Sequence, residues 1–418
     1  MRNMGTLQMQ LWISQKVQHL LMILKKPYFK ESAVTEETFE HNITQLRSVL
    51  EVAPTLVVDV ETNGLDSFGT NQICGIGVGE PNYEGLTQYY PFRHHEGGNL
   101  SSESLQNLIS ILNQSVKSYI GYNLKFDLHF LQKEGLDVTD KELIDVIVMV
   151  RLMEHSDIKE LGLSPTAKRN YGQEAIQYDD DTKKILKSNK GWFRDFSKAP
   201  ADLLGEYCQE DVRLTARIYN DYLKKIHDSK QVDIFKMECN LTKVLYAMEN
   251  RGISIDNQYA HQVEKQITTR LDKVETEILQ ISGRKKWNHE FSTSSKKHEE
   301  AEFNISSPKQ IGDVFNSMSI ESPVKTLKGQ DSWNEAALIN INHRMAGLIR
   351  QYRTLEKLKS TYILPYLKID TMHTSFCNWG TATGRLSSRN PNLQNIPRNH
   401  FKLAEKDLND QDKIEIRD

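Results

Sequence analysis

Leu56-Val57-Val58-Asp59-Val60-Glu61 is the stretch on which the fold turns. A β-rich apolar run ending in two acids reads as a buried strand that delivers carboxylates to a sheet edge. Side chains at i and i+2 of a strand point to the same side. Asp59 and Glu61 can therefore grip one hard cation through oxygen ligands. The pair alone is weak, since about one or two Asp-x-Glu triplets arise by chance in an ordinary chain of this size. Solvated acids at a strand end are the commoner outcome, so the partners elsewhere in the chain decide.

The chain has 418 residues, enough for two or three domains with ordinary cores. Hydrophobic residues make up 38% and charged residues 26%, a soluble, globular balance. With 53 basic and 56 acidic side chains the net charge is −3, so nucleic-acid contact must come from local basic patches. Cys74, Cys208, Cys239 and Cys377 are scattered, which reads as buried free thiols in a reducing cytoplasm. Leu7–Leu24 is interrupted by Gln8, Gln10, Gln15, Lys16, Gln18 and His19. It is too polar to span a membrane and reads as an amphipathic helix or a leader, with Met22 an alternative start.

Outward from Asp59, a helix is expected over Glu36–Leu50 and a strand from Thr55. Gln72–Val78, with Gly75 and Gly77, suits a tightly packed antiparallel neighbour. Helical periodicity follows at Leu105–Leu112, a strand at Tyr119–Tyr122, and helices at Leu124–Glu134, Leu143–Glu154 and Pro200–Lys225. Tyr178–Phe196 is charged and reads as an irregular surface excursion. Together these predict an α/β domain over 34–226, preceded by an extension at 1–33. Long helices are then expected at Val232–Asn250, Gln258–Ile281 and Asn334–Tyr366, with a break at Gly252 and an exposed polar tip over Ser282–Glu300. A mainly helical second domain over 227–376 follows, then a Gly-, Asn- and Pro-rich end at 377–418.

Two further motifs join the first. Asn123 and Asp127 stand four apart, as do Tyr207 and Asp211, and each pair shares one face if its segment is helical. Carboxylates converging from three such segments would be costly without cations among them. The ordered set of Asp-x-Glu, Asn-x-x-x-Asp and Tyr-x-x-x-Asp resembles the Tyr-containing branch of the DEDD 3′→5′ exonucleases. Thr62, Leu65, Asp145 and the segment Ser164–Tyr171 extend the resemblance. It implies a ribonuclease H-like (DnaQ-like) α/β fold with a mixed sheet, and two-metal hydrolysis of a 3′-terminal phosphodiester. Asp59, Glu61 and Asp211 would hold one ion, and Asp59 would bridge to a second held by Asp127. Tyr207 would orient the attacking water. The implied ions are two Mg²⁺, with Mn²⁺ able to substitute. Leu65 would wedge against the terminal base, Asn123 would touch the terminal nucleotide, and Tyr178 would stack on a base.

A second signature lies near the end: Thr381-Ala382-Thr383-Gly384-Arg385-Leu386-Ser387-Ser388-Arg389-Asn390-Pro391-Asn392-Leu393-Gln394-Asn395-Ile396-Pro397. It is similar to the start of the palm in family A DNA polymerases. Leu245–Asp256 resembles the helix entering that family's thumb, Asn304–Gln310 a DNA-contacting thumb loop, and Arg353–Tyr362 the returning helix. The implied DNA contacts are Asn304, Ser307, Lys309, Gln310, Arg353, Lys357, Lys359, Arg385, Asn392, Gln394 and Asn395, basic or polar side chains suited to phosphate and minor-groove contact. On this reading 227–376 is a thumb and 377–418 the start of a palm. In the family an Asp-Tyr-Ser-x-x-Glu strand and a fingers helix come next, whereas here a polar tail, Lys402–Asp418, ends the sequence. The expectation is a split or interrupted gene of bacteriophage type, acting in the bacterial host cytoplasm.

The leading reading is thus the proofreading portion of a family A polymerase, acting on single-stranded 3′ ends and primer–template duplex. Polymerisation would need a separate C-terminal polymerase fragment carrying fingers and the remaining palm. Two alternatives stay open: a stand-alone ribonuclease D-like exonuclease, and a non-catalytic DNA-binding subunit.

Overall fold

The computed structural model describes residues 33–82, 84–286 and 302–396. The expected N-terminal helix or leader, Pro397, the polar tail and most of the Ser282–Glu300 tip lie outside these residues. The described chain packs as two compact units. The first runs to Arg251 and includes Ser375–Pro391, while the second comprises Gly252–Thr374 with Asn392 onward. These packing units are a different division from the sequence segments 34–226, 227–376 and 377–418.

The first unit is built on β1 (Thr55–Thr62), which lies at the centre of a sheet of order β3-β2-β1-β4-β5. β2 (Ile73–Gly79) pairs antiparallel with β1 and β3 (Thr87–Pro91) antiparallel with β2. β4 (Ser118–Gly121) and β5 (Glu142–Asp145) add on the other side in parallel, so the sheet is mixed. The period-2 pattern read from the sequence sorts the two faces. Leu56, Val58 and Val60 pack under α1 (Glu36–Val52), α2 (Ser102–Ser115) and α3 (Lys125–Lys133). Each such side chain contributes roughly 1.5–3 kcal/mol when fully buried. Val57 faces the opposite side, toward α4 (Val146–Met153) and the long helix α7 (Ala201–Asp228). Asp59 and Glu61 share the parity of Val57, and therefore share its face.

Several expectations are corrected here. The apolar run Leu143–Glu154 is not one helix: Asp145 ends β5 and caps α4, accepting from the Ile147 amide at 3.3 Å. β3 carried no strong alternation and was not anticipated. Between α5 (Leu163–Tyr171) and α7 the charged segment is not irregular, since it forms α6 (Gln177–Ser188). Its buried positions, Asp179, Thr182 and Leu186, recur at helical spacing, and Asp179 and Asp180 suit the positive end of the helix dipole.

α8 (Val232–Arg251) also packs with the first unit, as does the hairpin of β10 (Ser375–Cys377) and β11 (Ser387–Arg389). In the second unit β6 (Ile253–Ser254) pairs with β9 (Thr371–Met372), and the short β7 (Lys285–Lys286) with β8 (Glu302–Phe303). Its core joins α9 (Asn257–Ser282), α10 (Pro308–Ser317), α11 (Glu335–Ile339) and α12 (Arg344–Lys357). The single helix expected over Asn334–Tyr366 is instead α11, α12 and a π-helical turn at Leu358–Ile363. The His343 ring accepts from the Met345 amide at 3.3 Å and starts α12 afresh. No described helix is long and apolar enough to cross a membrane.

Candidate active site

Three elements bring the acids together at β1. The strand supplies Asp59 and Glu61, α3 supplies Asp127, and α7 supplies Asp211. α7 can lie this close because β2 carries glycine opposite Asp59. A side chain at Gly77, the register partner of Asp59, would meet the Cys208 sulfur at 2.5 Å. Asp127 accepts from the Val60 amide at 3.1 Å, which fixes its carboxylate against the strand between the two acids. Glu61, Asp127 and Asp211 are buried and Asp59 is partly so.

The electrostatics are unfavourable for four anions. Burial pushes the Asp59 carboxyl up to about 6, against a lowering hydrogen bond from Cys208. Burial, then the charges of Asp59, Asp211 and Asp127, push Glu61 well above its ordinary value. Burial and the neighbouring Asp59 do the same to Asp127 and to Asp211. Among the described residues none of the four acids forms an ion pair, and Glu61 has no hydrogen-bond donor. Donor atoms of Asp59, Glu61 and Cys208 all lie within 4.8 Å of one another. The Cys208 thiol donates to Asp59 Oδ2 at 3.3 Å, and burial and Asp59 raise it, keeping it a neutral donor. It is free and buried, as expected, but its place beside Asp59 was not legible from spacing.

Tyr207 stands one helical turn before Asp211, as its spacing implied. Burial, followed by the charges of Asp211, Glu61 and Asp179, raises its phenol, which stays protonated. Its hydroxyl donates to Asp179 Oδ1 at 3.1 Å, a partner the sequence did not reveal. The Tyr178 hydroxyl donates to Asp211, and its half-buried ring lies beside that of Tyr207. Asn123 is not on the face of α3 with Asp127. It precedes the helix with φ of 62°, and its amide donates to Asp145 Oδ1 at 2.8 Å. Asparagine tolerates that left-handed backbone better than most residues. Leu65, 84% exposed, stands free of the core beyond the end of β1.

The second unit's expected DNA contacts divide by exposure. Ser307 caps α10, accepting from Gln310, and the Gln310 side chain accepts from the Asn304 amide at 2.6 Å. Arg353 donates to the Trp333 carbonyl at 2.7 Å. Lys359 pairs with Glu264 at 3.0 Å and donates to Thr268 at 2.6 Å. Lys309 and Lys357 are exposed. In the closing stretch Arg385, Asn392, Gln394 and Asn395 are exposed, and Asn392 accepts from the Gln394 amide at 3.1 Å.

A mixed sheet whose central strand carries acids facing a long helix defines an RNase H-like domain. Residues 56–223 match the RNase H superfamily. Residues 257–418 match DNA polymerase family A. The chain therefore carries an RNase H-like domain joined to a family A DNA polymerase region. Among its relatives, DNA polymerase I of Synechocystis sp. is 31% identical over 81% of this chain and 33% of that protein. DNA polymerase I of Borreliella burgdorferi is 27% identical over 86% of this chain and 37% of that protein. DNA polymerase DpoZ of Salmonella phage PMBT28 is 25% identical over 85% of this chain and 57% of that protein. The chain spans about a third of the length of its first bacterial relatives. The POL domain of Pol1 from M. smegmatis, solved in complex with DNA primer-template and dNTP, is similar in fold. Its TM-score is 0.59 at 16% identity, over 88% of this chain and 55% of that one.

Proposed function

We propose that this chain is the 3′→5′ exonuclease part of a family A DNA polymerase and hydrolyses the 3′-terminal phosphodiester of DNA. The observation that carries the reading is the convergence of Glu61, Asp127 and Asp211, buried, with the half-buried Asp59, like charges without an ion pair among the described residues. Such a set fits divalent cations, because oxygen donors at close range favour hard ions and only added positive charge relieves the repulsion. Bound Mg²⁺ or Mn²⁺ would neutralise the scissile phosphate and lower the pKa of a water. Asp59, Glu61 and Asp211 would hold one ion, with Asp59 shared to the Asp127 position. Tyr207, neutral, would orient the attacking water. Leu65 would abut the terminal base and Asn123 the terminal nucleotide. Exposed Lys309, Lys357 and Arg385 would supply phosphate contacts for a duplex, with the other polar residues of those segments lining its path.

The test is shortening of a 3′-labelled single-stranded oligodeoxynucleotide with Mg²⁺. The expected result is stepwise loss of nucleotides that Asp59→Ala abolishes. An intact oligonucleotide with both Mg²⁺ and Mn²⁺ overturns the reading. Preferential degradation of an RNA of equal length would instead favour a ribonuclease D-like activity. Duplex binding without any cleavage would favour a non-catalytic subunit.

A further inference from the structure

The acid that accepts from the Tyr207 hydroxyl belongs to none of the motifs. Asp179 sits in the first turn of α6 and is only 2% exposed. Its Oδ1 accepts from Tyr207 of α7 at 3.1 Å, and its Oδ2 accepts from Ser164 of α5 at 2.8 Å. Lys183, one turn further along α6, forms an ion pair with it at 2.7 Å. Three helices thus fix the carboxylate, and Lys183 offsets the cost of burying its charge. The neighbouring Tyr178 donates to Asp211, so adjacent residues of α6 reach both members of the Tyr207–Asp211 pair.

A phenol has one proton to give and lone pairs with which to accept. With that proton committed to Asp179, the Tyr207 oxygen can meet a water only as an acceptor. A water that donates to Tyr207 keeps its own lone pair for attack. If Tyr207 donated to the water instead, it would take up one of that water's two lone pairs, leaving a cation and the phosphorus to compete for the other. We propose that Asp179 is a positioning residue that fixes the Tyr207 hydroxyl as an acceptor for the attacking water, acting through Tyr207 and touching neither substrate nor metal. This rests on the exonuclease reading above.

The experiment is a double-mutant cycle on a 3′-labelled oligodeoxynucleotide with Mg²⁺. Asp179→Ala is expected to lower kcat by about 10- to 100-fold, the range for removing a residue that orients an active-site ligand, with KM unchanged. Tyr207→Phe lowers kcat comparably, and the double variant is no slower than Tyr207→Phe alone, the signature of one shared pathway. Asp179→Asn, whose amide oxygen still accepts, recovers most of the rate. Losses that multiply in the double variant, or a change confined to KM, overturn the proposal. Should Asp179→Ala lose its cooperative melt, Asp179→Leu, close in volume and unable to accept, takes its place in the cycle. The contact is also read without turnover, through ¹³Cζ-tyrosine NMR, in which Asp179→Leu should move the Tyr207 resonance. An unmoved resonance overturns the contact itself. A wild-type protein inert with both Mg²⁺ and Mn²⁺ would instead overturn the exonuclease reading and the positioning role together.

Discussion

Helix α3 carries buried charge on two sides, and the two sides are built on opposite rules. Lys125 and His129, four residues apart, share the side that meets α8. There Glu249, 2% exposed, accepts from Lys125, from His129 Nε2 at 2.6 Å and from the Phe376 amide at 2.6 Å. His129 Nδ1 bonds Asn250 at 2.9 Å, and Lys125 also donates to the Phe376 carbonyl. Burial pushes Glu249 up, but the His129 hydrogen bond and the Lys125 charge outweigh it and hold it below its ordinary value. Between them in sequence, Asp127 turns to the other side, where burial and Asp59 push it up instead. Charges that close on themselves serve as scaffold, because nothing further is needed to satisfy them. Charges left in mutual repulsion have no such closure, and the proposed site is built from them. The scaffold side grips α3 from behind and so holds Asp127 in place.

The largest break in this contrast comes from the site side. Asp59→Asn should cut Mg²⁺-dependent hydrolysis on the order of a thousand-fold, about 4 kcal/mol of lost transition-state stabilisation. Yet in metal-free buffer the same variant should melt higher than wild type, because it removes a repelled anion. A fall in both would mean that the acids are structural. Next in size, Glu249→Ala should destabilise the protein by about 3 kcal/mol in a urea titration. That is the low end for half-removing a buried pair, since Lys125 keeps the Phe376 carbonyl and His129 keeps Asn250. Per folded molecule its nuclease rate should change far less than that of Asp59→Asn. An unfolding midpoint equal to wild type would show that the scaffold network is dispensable.

Much of this was legible in the sequence, and for identifiable reasons. β1 announced itself because an apolar, β-branched run ends in two acids and is buried almost throughout, and α7 because its apolar stripe is long. Helical spacing put Tyr207 and Asp211 on one face, and their assignment to the site came from the resemblance of the ordered motifs. Asp179 was hidden because α6 begins with consecutive acids, whose density looks like a solvated surface, while only a neighbouring helix shows which of them turns inward. Asn123 was misplaced for a related reason: the helix it seemed to open starts after it, once Asp145 has claimed its amide. Glu249 gave no signal, because its partners lie more than a hundred residues away in sequence. Contacts that depend on local period can be read from the chain, and those made by three elements meeting cannot.

The smallest expected effect separates the two sides by pH. The Asp59 carboxyl is raised to about 6, above the value near 3.9 of an unfolded aspartate. Between about pH 4 and 6 the folded protein therefore binds more protons there than the unfolded chain, so this contribution to stability falls as pH rises. Glu61, Asp127 and Asp211 are also raised and contribute with the same sign. Glu249 has the opposite sign. Its folded value is lowered, so its contribution is intact above the ordinary glutamate range and disappears only as pH falls through that lowered value. Asp145 and Glu80, raised likewise by burial, are common to wild type and Asp59→Asn. A comparison of pH 5 with pH 8 between these two proteins thus separates Asp59 from Glu249. In metal-free buffer, Asp59→Asn should exceed wild type at pH 8 by about 1 kcal/mol, or roughly 2–4 °C in Tm, and by less at pH 5. Mg²⁺ at pH 8 should raise the wild-type Tm and leave Asp59→Asn nearly unmoved, because the variant lacks the charge that the cation relieves. An advantage of equal size at both pH values, without a response to Mg²⁺, would mean that Asp59 belongs with Glu249 among the satisfied charges.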